Sequence, residues 1–111
     1  MKSPITTHIL DLASGFPASG VEARLEFLSG GDWRVVGGGT TDDDGRINTL
    51  VGELAAGTYR LIFETAAYHR AAGREAFHPR VTVEFVVSGA DRHYHIPLLL
   101  SPFGYSTYRG S

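Results

Sequence analysis

The sequence has no cysteine. That excludes a disulfide framework and a thiolate nucleophile, and it suits a reducing compartment, so the cytoplasm is the expected location. A dominant charge is missing too: 10 Lys and Arg stand against 12 Asp and Glu, for a formal charge of −2. Without a basic surplus there is no electrostatic grip on nucleic acid or on an anionic membrane, and neither is expected as a partner. No apolar run is long enough to cross a bilayer, and the opening MKSPITTHILDLASG lacks the continuous apolar segment of a secretory signal. The GGG at 37–39 is not followed by a helix, so it is no phosphate loop, and there is no GxSxG nucleophile elbow.

What is present points to strands. At 111 residues the chain supports one domain spanning 1–111, and 14 Gly with 5 Pro mark frequent turns. VEARLEFL alternates, with Val21, Ala23, Leu25 and Phe27 on one face and Glu22, Arg24 and Glu26 on a face that meets water. PITTHILDL, DWRVVGGGTT, a short run from Arg46 to about Leu50, GTYRLIFET, RVTVEFVV, DRHYHIPLLL and GYSTYRG complete the strand set. ASGFPASG reads as a loop, and DDDG as a turn whose Gly supplies a positive φ. AAYHRAAG is the one convincing helix, ended by Gly73. Pro97 implies an edge or a bulge, because proline donates no ladder hydrogen bond. Seven or eight strands at regular spacing predict an antiparallel two-sheet sandwich.

Few groups can do chemistry. His8 shares a strand face with Thr6 and Leu10, where an ordinary half-buried imidazole fits as well as a reactive one. His93 and His95, two apart, lie on one face, a spacing that suits metal ligation, an acid/base pair or chance. A metal would need a third ligand and supporting partners that the sequence does not place, so none is expected. Arg46, after an Asp-Gly turn, is either a solvated, salt-bridged cation or a planar fork for a carboxylate, imide oxygen or enolate. His69, Arg70, Arg74 and His78 are expected on the solvated surface.

The opening THILDLASGFPASGV, the middle TTDDDGR and the closing YHIPLLLSPFGYSTYRGS closely resemble the transthyretin-like proteins that act as 5-hydroxyisourate hydrolases. The resemblance spans essentially the whole chain, and the terminal YRGS separates those enzymes from the hormone carrier that shares their fold. It implies an all-β, transthyretin-like sandwich of two four-stranded antiparallel sheets with one short helix. It also implies a cofactor-free hydrolysis of 5-hydroxyisourate and a homotetramer, a dimer of dimers, with sites between dimers. The catalytic groups it implies are His8, Arg46, His95 and Ser111, and substrate binding falls to His8, Arg46, Tyr108, Arg109, Gly110 and Ser111 with its terminal carboxylate. Phe103 departs from the Tyr that many relatives carry. The competing expectation is a carrier without catalysis, since fold alone does not set function.

Overall fold

Period-two alternation builds both layers of a sandwich. The computed structural model describes residues 4–89 and 92–110. One sheet carries β1 (Ile5–Asp11), the two-residue β2 (Phe16–Pro17), β8 (Tyr94–Leu100) and β9 (Tyr105–Thr107) in the order β2-β1-β8-β9, with the short β5 (Arg46–Ile47) also pairing β1. The other sheet holds β3 (Glu22–Ser29), β4 (Asp32–Thr40), β6 (Gly57–Phe63) and β7 (Val81–Val87) in the order β4-β3-β6-β7. Their inner faces meet in one apolar cluster that includes Ile5, Ile9, Leu25, Leu61, Phe63 and Leu98. Residues i and i+2 supply it, so the residues between them are left for the outer faces. The helix α1 (Thr65–Ala71) follows β6, and among the described residues no helix is long and apolar enough to cross a membrane.

The all-β sandwich with one short helix matches the reading of the sequence, and several details differ. β1 and β8 run parallel, from Ile5↔Tyr94 to Asp11↔Leu100, where an antiparallel sheet was expected. Alternation fixes which face a residue takes but not which way its neighbour runs. The segment 13–20 is not wholly loop, because Phe16 and Pro17 pair with β1. Nor is β8 an edge, despite Pro97. Its pairing with β9 covers Leu100↔Tyr105 to Leu98↔Thr107, stops at Pro97, and resumes as a bridge at His95↔Gly110. The absent proline amide thus falls at a gap in the ladder, where the Thr107 hydroxyl donates to the Pro97 carbonyl at 2.7 Å.

Four side chains expected in water are covered. Glu26 is buried although it lies on an outer face: Arg24 Nε donates to it at 2.9 Å and Arg60 Nε at 2.7 Å, while the Arg60 guanidinium lies 4.2 Å over the Trp33 ring. Burial pushes the Glu26 carboxyl up, but the two guanidiniums outweigh it and hold it below its usual range. His69 is buried, and Arg74 turns inward to Asp11, with Nη2 to Oδ2 at 2.7 Å and Nη1 to Oδ1 at 3.2 Å. His78 is half-buried, its ring edge-on to those of Phe77 and Tyr105. Arg70 is exposed as expected.

Candidate active site

Asp11 closes the inner side of β1 and fixes the strand that carries His8. Besides Arg74, it accepts from the Tyr68 hydroxyl at 2.6 Å and from the Ala13 and Ser14 amides at 2.9 and 3.2 Å. Burial pushes its carboxyl up, yet the bonds from Arg74, Tyr68 and the two amides win and bring its pKa down to about 2. Burial and the nearby Arg74 lower the His69 pKa, against smaller opposing pulls from Asp11 and Ser101, which favours a neutral ring. This network ties α1 to the end of β1 and spends its polar groups on structure.

The chemistry-bearing residues gather on the opposite, outer face of the same sheet. Along β1 that face presents Thr6, His8 and Leu10; along β8 it presents His95, Pro97 and Leu99. Register then aligns them: Thr6 stands beside His95, and His8 beside Pro97. On the far side of β1, His8 pairs directly with Arg46. One row across the sheet therefore reads Arg46, His8, Pro97. Continuing the β8–β9 register from Leu98↔Thr107 to His95↔Gly110 places Tyr108 opposite Pro97 as the fourth member.

The turn before Arg46 explains its position. Asp42 accepts the amides of Asp44 and Arg46 on Oδ1, both at 2.9 Å, and its own amide donates to the Arg46 carbonyl. Gly45 takes a φ of +74°, and its carbonyl accepts the Ile9 amide at 2.8 Å. A Cβ there would stand 2.5 Å from the Ile9 carbonyl oxygen, so the positive φ and the contact with β1 both demand glycine. Arg46 is exposed and, among the described residues, makes no ion pair, which leaves its planar fork for a ligand.

His95 is held from two sides. The buried Thr6 hydroxyl lies 2.8 Å from His95 Nδ1 and 2.9 Å from His93 Nε2. The Gly110 amide donates to the His95 carbonyl at 2.8 Å. His93 and His95 do share a face, and among the described residues no group of three or more His, Cys, Asp or Glu could hold a metal ion.

The structure thus brings together His8, Arg46, His95, Tyr108 and Gly110. The Arg109 guanidinium lies 4.7 Å over the Tyr94 ring, and Arg109 lines a cleft of about 210 Å³ together with His95, Tyr108, Val83 and Phe85, at the open edge between β7 and β9. Ser111 lies outside the described residues. Sequence reasoning passed over Thr6 as a partner of His95. The alternation of TTH puts Thr6 on the face of His8, but its meeting with His95 depends on the β1–β8 register, which no local pattern encodes.

Comparison with known proteins identifies the family. The family model described as HIUase/Transthyretin matches residues 5–110. The chain is 49% identical over 109 residues to the 5-hydroxyisourate hydrolase of Salmonella dublin, covering 96% of this chain and 80% of that protein. Among solved structures, sea bream transthyretin in complex with thyroxine superposes with a TM-score of 0.93 at 37% identity, over 97% of this chain and 95% of that one. The 5-hydroxyisourate hydrolase of Klebsiella pneumoniae does so with a TM-score of 0.85 at 41% identity, over 96% and 98%. A match over nearly the full length, on a sandwich of the same architecture, means that this chain belongs to the HIUase/Transthyretin family.

Proposed function

We propose that this chain hydrolyses 5-hydroxyisourate in urate catabolism. The observation that carries the reading is the row Arg46, His8, Pro97, Tyr108, with His95 beside it, on one sheet face. Its relatives named 5-hydroxyisourate hydrolase support the substrate. The carrier reading shares the fold, since a thyroxine-bound transthyretin superposes well. It is disfavoured by the face itself, where imidazoles and a guanidinium stand in place of an apolar lining for an aromatic ligand.

Opening a cyclic amide needs an activated water, a counter-charge for the oxyanion, and a proton for the departing nitrogen. His8 serves as general base and draws a proton from the water as its oxygen bonds to the ring carbonyl carbon. Arg46, directly across the ladder, faces the oxyanion with its fork of donors. His95 gives a proton to the nitrogen as the C–N bond breaks, so the elements of one water are added and no cofactor is consumed. Tyr108 and Gly110 line the substrate edge, and Ser111 is proposed to bind substrate with them. Arg109 adds a cation beside them, in the cleft that it lines with His95 and Tyr108.

A lone sheet face leaves a flat heterocycle open to water, and β7 and β9 present unpaired edges side by side. Both features fit a homotetramer in which a second dimer roofs the face. The test is the ultraviolet decay of 5-hydroxyisourate freshly made by urate oxidase. Many turnovers per chain support a hydrolase; sequestration of no more than one equivalent, with no faster decay, would point to a carrier.

A further inference from the structure

We infer that Thr6 is a positioning residue that sets the tautomer of His95 and links it to His93. Thr6 is 3% exposed, and its hydroxyl lies within hydrogen-bond distance of both rings, 2.8 Å from His95 Nδ1 and 2.9 Å from His93 Nε2. A hydroxyl carries one proton. In two arrangements it donates to one imidazole and accepts from the other.

In the first, His93 Nε2–H donates to Thr6 Oγ1 and the hydroxyl donates to His95 Nδ1. Neutral His95 then carries its proton on Nε2 and is an acid toward a bound ligand. In the second, the hydroxyl donates to His93 Nε2 and Oγ1 accepts His95 Nδ1–H, so His95 Nε2 is unprotonated and a base. Passing between them moves one proton at each link. As His95 gives up its Nε2 proton, Nδ1 takes the hydroxyl proton, Oγ1 takes the His93 Nε2 proton, and His93 Nδ1 gains one from water. His93 is exposed while Thr6 is covered, so the relay meets solvent at the His93 end. One proton enters and one leaves, and His95 stays neutral. This arrangement would keep His95 neutral through the transfer and leave Nε2 ready to take up the next proton, after which the relay runs back and restores the acid.

The catalytic half of this inference rests on His95 acting in the hydrolysis proposed above; the hydrogen-bond half does not, and the experiment separates them. Long-range proton–nitrogen NMR of the ligand-free protein reads the His95 ring nitrogens in the wild type, Thr6→Ser, Thr6→Val and His93→Phe, alongside steady-state kinetics. Thr6→Ser should keep the wild-type ring pattern and a kcat within about threefold. Thr6→Val and the exposed His93→Phe should each shift the His95 tautomer ratio, and Thr6→Val should lower kcat by about tenfold or more with little change in KM. An unchanged His95 spectrum in both Thr6→Val and His93→Phe would overturn the coupling. A kcat that Ser fails to restore would reduce Thr6 to a packing role. If the wild type hydrolyses nothing, the proposed function fails, and the nitrogen spectra still decide the coupling.

Discussion

The ring of His95 occupies the space that any side chain at position 110 would need: a Cβ on Gly110 would stand 2.6 Å from His95 Cδ2. The same glycine donates its amide to the His95 carbonyl, so backbone and ring are packed against the chain end together.

Gly110→Ala should therefore displace the His95 ring while leaving the core alone. A shift of about 1 Å at a reacting group can cost roughly 100-fold in rate. A fall in kcat of that order is expected, with Tm lowered by no more than about 3 °C. Steady-state kinetics and a thermal melt check both; wild-type turnover would show that the ring tolerates the methyl group.

His8→Asn and Arg46→Lys probe the paired residues of β1 and β5. His8 is half-buried and Arg46 exposed, so each change should move stability by only about 0.5 kcal/mol. Loss of general-base assistance should lower kcat roughly 10²–10⁴-fold, and loss of the guanidinium fork roughly 10²–10³-fold. The wild-type and variant rates, measured with the circular-dichroism spectra that show each remains folded, test both roles.

Asp11 should govern acid stability instead. Its folded pKa of about 2 lies below the ordinary aspartate value of about 4, so its contribution is present above pH 4 and is lost as the pH falls toward 2. That depression corresponds to about 2 kcal/mol. Asp11→Asn should destabilise the protein at neutral pH by roughly 3 kcal/mol, because Arg74 loses its partner. Below pH 4 the difference between variant and wild type should shrink. Urea unfolding at pH 7 and pH 3 measures this, and an equal gap at both would contradict it.

Much of this was legible from local pattern. Alternation alone put His8 on one face with Thr6, put His93 with His95, and buried Val21, Ala23 and Leu25; the Asp-Gly turn announced the start of β5. What escaped depends on partners far along the chain. Arg74 meets Asp11 across 63 positions, and Glu26 meets Arg60 across 34, so Arg74 and Glu26 looked solvated until a distant partner of opposite charge covered each. The parallel β1–β8 pairing, and with it the contact of Thr6 with His95, has the same non-local origin.

The site as a whole is tested most directly by the decay rate of 5-hydroxyisourate with the full chain and with a chain ending at Thr107. The last described residues are largely exposed and held by the Gly110 bridge to His95 and the Arg109 stack on Tyr94, so the shortened chain should still fold. Full-length protein should accelerate the decay many times over per chain, while the shortened one should lose at least about 10³-fold of that acceleration. Equal rates from the two folded proteins would show that the chain end takes no part in the chemistry.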